Sequence, residues 1–226
     1  MNKNYLFLKN ILKKSEKIEE KKIDHILHWL KKISNKDKTK TKIVKLEELD
    51  NWFFKDGKIF HKSKQFFSIE GIKIKNAYNR EVKNWSQPIL SQKHGGYLAI
   101  IFKIEKSVPK FLLLARREPG DQNLKLCPSF SATQSNINRA HGGKLTNLYN
   151  LISNKKKIFL KTYHYEEGAR FIKKINCNLL IKINKKDERF IKDKNFIWLT
   201  KSQISKLNFK KGILNPFVKT IMSMII

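Results

Sequence analysis

The sequence predicts a mixed α/β sandwich flanked by helices, with a helical N-terminal extension. Three observations carry this. Strand-length apolar runs such as Tyr97–Phe102 and Phe111–Ala115 alternate with helical patterns along the chain. Ile23, Ile26, Leu27, Leu30 and Ile33 recur at helical spacing before the first strand. The 226 residues fit one domain of ordinary size plus a short extension. We divide the chain into a helical extension and linker, residues 1–41, and a single module, residues 42–226.

Residues 4–33 read as two helices or one interrupted helix, with three roles open: a dimer element, a lid, or packing on the domain. His25 and His28 share a helical face, but no third ligand stands in register, so no metal site is expected. Ser34–Thr41 is a polar linker. A short helix over Leu46–Asp50 leads to Trp52, and strands follow around Lys58–His61 and Phe66–Ile74 after a turn at Lys55-Asp56-Gly57. Asn76–Gly96, with Trp85, Pro88 and the Gly95-Gly96 pair, reads as a long functional connection. Tyr97–Ile104 and Lys110–Ala115 are adjacent central strands. Leu126–Gln134 is a further strand on which Ser129, Ser131 and Thr133 alternate with Phe130 and Ala132, so that three hydroxyls share one face. Taken alone, such hydroxyls read as a surface row facing water, although a row of hydroxyls can also bind ligand oxygens. Lys157–Tyr163 is a strand, Glu166–Ile175 a helix with carboxylates in its first turn, and Cys177–Ile183 and Phe196–Leu199 close the sheet. Thr200 and Gln203 form a capping box, and Asn215-Pro216 starts a last helix that buries Phe217, Ile221 and Met222.

Composition narrows the function. The formal charge is +30, which raises nucleic acid as a partner. The excess is almost all lysine, spread evenly beside Asn and Ile, whereas a nucleic-acid surface clusters charge and enriches arginine and aromatics; it reads as codon bias. Cys127 and Cys177 are too few for a disulfide scaffold and form no CxxC pair, which suits a reduced cytoplasmic setting. Tyr5–Leu8 is too short for a signal-peptide core, and no apolar run is long enough to span a bilayer.

Chemistry concentrates in Arg116–Gly143. Arg116 and Arg117 are two of only six arginines among 49 basic residues, and a planar fork there could grip phosphate. With the residue before it, the stretch contains AR-x-EPG at Ala115–Gly120, L-x-P-S-x-x-AT-x-SN at Leu126–Asn136 and HGG from His141. Outside it stand NWFF-x-DG-x-x-x-H-x-S-x-x-FF-x-x-EG at Asn51–Gly71, W-x-QPI at Trp85–Ile89 and EEGARF-x-x-K-x-N at Glu166–Asn176. In this order, over some four-fifths of the chain, these elements resemble those of the sugar-nucleotide 2,3-dehydratases acting on dTDP-4-keto-6-deoxy-glucose.

The resemblance implies a Nudix-like module, usually present in tandem, and hence a homodimer of this single copy. It implies a lyase with a nucleotide-sugar substrate, no redox cofactor and no membrane partner. A base removes the carbon-3 proton and the enolate expels the carbon-2 hydroxyl. On this reading Glu166 is the base and His141 the proton donor. Trp52 lines the nucleotide-sugar pocket, Arg116 holds the diphosphate, and Ser129, Thr133, Ser135 and Asn136 hold sugar or phosphate oxygens. Tyr165, Glu167, Gly168 and Arg170 border the substrate. The pattern departs from the family at Ser131, Ile137, Tyr165, Ile175 and Cys177, the last two in place of arginines. The glutamate helix that binds metal in Nudix hydrolases has no counterpart in spacing, so no metal is implied. Two other readings stay open: a non-catalytic nucleotide-sugar-binding homologue or subunit, and a basic nucleic-acid binder.

Overall fold

A computed structural model describes residues 2–140, 142–146 and 148–225. Its strands form two mixed sheets, of five and seven strands, with helices on both faces of the larger one.

The larger sheet grows from a hairpin. β5 (Gly96–Glu105) and β6 (Val108–Arg116) pair antiparallel through a tight turn in which Lys106 and Ser107 both take positive φ, 48° and 65°, the twist that a two-residue hairpin loop favours. The run Leu98–Phe102 is apolar on both faces because both are covered. Leu98, Ile100 and Phe102 face one core cluster; Ala99 and Ile101 face the other. On the first side lie α1 (Lys3–Ser15), α2 (Asp24–Ser34), α5 (Lys201–Asn208) and α6 (Pro216–Met222), which contribute Leu8, Leu12, Ile26, Leu30, Leu207 and Val218. The N-terminal segment is thus two helices whose apolar stripe shares the core of the sheet. On the second side α4 (Tyr149–Ile152) seats Leu151 and Ile152 on Ile101 and Leu112. Phe102 and Phe111 are fully buried and their rings lie 5.9 Å apart; truncating either to alanine removes a side chain worth about 3–5 kcal/mol.

β11 (Ile175–Lys182) adds parallel to β5, β9 (Ile158–Tyr165) antiparallel to β11, and β12 (Phe196–Leu199) antiparallel to β6. Beyond Ile101 and Leu112 the hairpin forks. β7 (Lys125–Pro128) takes the free edge of β6 and β8 (Phe130–Thr133) that of β5. Ser129 sits in the fork, where its hydroxyl donates to the Leu112 carbonyl (2.5 Å) and accepts from the Ile101 N–H (2.9 Å). It thereby satisfies two backbone groups that the splayed strands leave unpaired. The single strand expected over Leu126–Gln134 is therefore two, and Gln134 already starts the short helix α3 (Gln134–Ile137).

The smaller sheet runs β1 (Trp52–Lys55), β2 (Lys58–His61), β3 (Ser68–Ile74), β4 (Trp85–Ser91), β10 (Phe171–Ile172). The expected long connection over 76–96 thus contains a seven-residue strand paired throughout with β3. Pro88 hid it. Leu90, two residues on, turns its N–H away from β3 to the Arg170 carbonyl (2.8 Å), so the proline nitrogen faces an edge where its missing donor breaks no β3 pairing.

The helix expected over Glu166–Ile175 is absent. Tyr165 pairs with Ile175, and the Glu166 N–H reaches the Lys174 carbonyl at 2.8 Å, so the segment is an excursion between β9 and β11 that touches β4 through β10. Tertiary pairing outweighs a helical propensity worth only tenths of a kcal/mol, roughly, per residue. In α6, Val218 fills the place expected of Phe217, which is half-buried; Ile221 and Met222 are buried. The Thr200–Gln203 capping box forms as read.

Candidate functional site

The excursion and the end of the larger sheet enclose a cleft of about 310 Å³ on the face covered by α6. Leu98, Asn176 and Asn178 form its floor; His164, Tyr165, Glu166 and Glu167 form one rim, and Asn215, Phe217 and Thr220 of the α6 region face them. The asparagines are there because strand alternation sends residues 176, 178 and 180 to the same face. Leu180 continues the core, while the two amides end it.

The hydrogen bonds make a directed chain. Gly96 N–H donates to Asn176 Oδ1 (2.8 Å), which orients that amide so that its Nδ2 donates to Glu166 Oε2. The same oxygen meets Lys174 Nζ at 3.4 Å, and both side chains of this ion pair are only 11–12% exposed. Glu166 is therefore held by one amide and one ammonium through Oε2, which leaves Oε1 for a ligand. The Gly95-Gly96 pair serves this contact. A Cβ on Gly95 would lie 1.5 Å from the Ile175 carbonyl oxygen, so no side chain fits where β5 begins against β11.

The W-x-QPI segment buttresses the cleft from outside. Trp85 Nε1 donates to Gln87 Oε1 (2.8 Å), and Gln87 Nε2 donates to the Ala169 carbonyl (2.7 Å). Two distant motifs thus meet at the Glu166 excursion. Glu167 and Arg170 pair at 3.3 Å, but both are largely exposed, a pairing of little energetic weight. Tyr165, Gly168 and Arg170 are likewise exposed around the turn.

The remaining residues named from sequence lie elsewhere. Ala115 belongs to the helix-side core, so alternation turns Arg116 to the opposite face of the sheet. There a second cleft, about 350 Å³, is lined by Arg116, Ser129, Asn136, Arg139 and Lys144 and shares no residue with the first. Arg116 donates from Nε (3.1 Å) and Nη2 to Glu118 Oε1. Arg117 is committed to Asp37 (2.6 Å) and the Gln122 carbonyl (2.6 Å) and ties down the linker. The arginine pair expected to form one phosphate fork is thus split between two carboxylates. Ser129 has its structural task in the fork. Thr133 caps α3 by accepting from the Asn136 N–H (3.3 Å), and its hydroxyl pairs with that of Ser135 at 2.8 Å. Trp52 lies in the smaller sheet against Phe67 (5.1 Å) and Phe66 (6.0 Å), in neither cleft. His141 lies outside the described residues.

A larger cleft, about 630 Å³, between α1 and α5 holds none of the residues named from sequence. Burial pushes the Cys127 thiol up to about 11 and raises Cys177 as well. Both are buried and free, which makes them inert rather than nucleophilic. Among the described residues no cluster of three metal-binding side chains occurs, and no helix is long and apolar enough to cross a membrane.

The sequence singles out neither Asn178 nor His164, marks Asn215 only as the start of the last helix, and places Lys174 and Asn176 in a motif without a role. A signal was present for the amides: Asn176 and Asn178 stand two apart in the run Ile175–Ile181, which is otherwise Ile, Cys and Leu.

Comparison with known proteins agrees with the motifs. The chain is 30% identical to a dTDP-4-dehydro-6-deoxy-alpha-D-glucopyranose 2,3-dehydratase of Amycolatopsis orientalis over 189 residues, 80% of this chain and 40% of that one. It is 29% identical to the enzyme of the same description from Saccharopolyspora spinosa over 202 residues, 87% and 41% of the two chains. The chain thus spans about two-fifths of the length of the curated relatives it matches. A family profile described as NDP-hexose 2,3-dehydratase covers residues 23–225, from just before α2 to the last described residue. The motifs that meet around Glu166 and the span of this match agree that the chain belongs to the NDP-hexose 2,3-dehydratase family.

Proposed function

We propose that the chain eliminates water from an NDP-linked 4-keto-6-deoxyhexose, with dTDP as the nucleotide, in deoxysugar biosynthesis. The observation that carries this is the Glu166 carboxylate, fixed through one oxygen by Asn176 and Lys174 with the other left free at the rim of the cleft. Elimination needs a positioned base, a countercharge near the developing enolate and a donor for the leaving hydroxyl. Glu166 takes the proton from carbon-3, and the C–H electron pair moves toward the carbon-4 carbonyl oxygen. The enolate then expels the carbon-2 oxygen, which leaves as water once protonated, and the enol at carbon-3 becomes a ketone as carbon-2 takes up a proton. Lys174 supplies positive charge beside the base. Two imidazoles compete as donor: His141, which the family motif names, and His164, which lines the cleft. Replacing each by Asn and comparing the loss in kcat decides between them.

Arg116 and Trp52 do not reach this cleft within one chain, and we assign them to binding nucleotide in a homodimer. The smaller sheet supports that assembly: of its strand residues only Ile89 is buried, while Phe53 and Phe54 are exposed, and an apolar sheet face requires cover. Equilibrium sedimentation at micromolar concentration should give twice the chain mass, and Phe54→Lys should give the monomer. The free, buried thiols accord with a reducing, cytoplasmic setting. The reaction is tested by incubating the protein with dTDP-4-keto-6-deoxyglucose in deuterated water. The expected product has lost one water and carries solvent deuterium at carbon-2; recovery of intact substrate refutes the proposal.

A further inference from the structure

Asn178 is fully buried, yet its Oδ1 has no hydrogen-bond partner. Its Nδ2 donates to the Asn176 carbonyl at 3.2 Å, which fixes the direction of the amide and leaves the oxygen as an acceptor. The side chain lines the cleft floor in the same pocket as Glu166. A buried acceptor without a donor lowers stability, and an apolar side chain of the same shape would avoid that cost. One other buried side-chain atom among the described residues is in this state, Glu19 Oε2, and its partner oxygen already takes the Ser202 hydroxyl.

A 4-keto-6-deoxyhexose linked through O1 offers few donors to such an oxygen. Carbon-4 is a carbonyl, carbon-6 a methyl and O5 a ring ether, which leaves the hydroxyls on carbon-2 and carbon-3. The carbon-2 oxygen is the leaving group and must receive a proton, so an acceptor serves it badly. The carbon-3 hydroxyl, on the carbon whose proton Glu166 removes, is the complementary donor. We infer that Asn178 Oδ1 accepts a hydrogen bond from the carbon-3 hydroxyl of the sugar and is a specificity-determining residue of this site; the inference rests on the proposed dehydration. It also gives direction. The 3,4-diketone product has no ring hydroxyl left, so Asn178 loses its donor on turnover and substrate binds more tightly than product.

The test is Asn178→Leu in the full chain, with Asn178→Ala as the second variant where leucine disturbs folding. Substrate affinity should fall about tenfold to a hundredfold, the range for losing one buried hydrogen bond. Affinity for dTDP alone should be unchanged, and the melting temperature of the leucine variant equal to or above that of wild type. A structural amide would instead lower the melting temperature. The 3-deoxy analogue should bind wild type as weakly as it binds the variant. Wild type that binds the analogue as tightly as substrate, or a variant that keeps wild-type affinity, overturns the assignment while leaving the dehydration standing. Wild type that neither binds nor dehydrates the sugar nucleotide overturns both.

Discussion

Asn176→Asp is the substitution that bears hardest on the proposed base. Shape is kept and the Gly96 N–H still finds an oxygen, but the donor to Glu166 becomes a second carboxyl group. Losing a hydrogen bond to a charged group costs about 1.5–3 kcal/mol. Two ionised carboxylates about 4 Å apart would repel by about 4 kcal/mol at an effective dielectric near 20, and Lys174 can offset only part of this. The pair therefore retains a proton, and one of its two joint pKa values rises. An acid whose folded pKa lies above its unfolded value loses stability as pH climbs from the unfolded to the folded value. The variant should thus lie within about 1 kcal/mol of wild type at pH 4.5 and about 3 kcal/mol below it at pH 8. Urea unfolding at the two pH values measures this. The kcat/KM at pH 7 should fall about a hundredfold, with the acid limb of its profile moved upward. Equal stability loss at both pH values, or activity near wild type, would refute the role of this amide in holding the base.

Other expectations follow from the same structure. Gly95→Ala should destabilise the fold by more than about 3 kcal/mol, because the added Cβ would sit 1.5 Å from the Ile175 oxygen; a melting curve checks it. Cys127 and Cys177 should resist N-ethylmaleimide at pH 7.5 in the folded protein and both react in urea, since burial raises both thiols, Cys127 to about 11. Asp37 is held at about 2, below its ordinary 3.8, chiefly by the Thr39 hydroxyl and backbone N–H and then by Arg117. Its folded value is depressed, so the linker contact is fully present above pH 4 and is lost as pH falls toward 2. Cleavage of the linker by an acid-active protease should rise across that window, and Asp37→Asn should show the higher rate already at pH 5.

The parts legible in the sequence are those governed by local pattern. The apolar run at Tyr97–Phe102, the helical stripe from Ile23 to Ile33 and the Thr200–Gln203 box need only neighbouring residues to be understood, and each forms. What was hidden depends on partners far along the chain. Pro88 reads as a breaker until the edge its nitrogen faces is known. Glu166–Ile175 reads as a helix until Tyr165 is found opposite Ile175. The motifs identified a region rich in binding groups, yet only topology separates Arg116 from Glu166 by a sheet. Ser129 looked like a ligand for sugar because its backbone task arises from a fork between two strands that sequence does not show.

The chemistry proposed for this cleft depends on Glu166. Glu166→Gln keeps the Asn176 contact possible while removing the base, so the variant should bind dTDP-4-keto-6-deoxyglucose and be thermally stabilised by it as wild type is, but release no water detectable by mass spectrometry, a loss of at least about a thousandfold. Water loss at a rate near wild type would show that the proton at carbon-3 is taken by another group, and the cleft described here would not be the site of the chemistry.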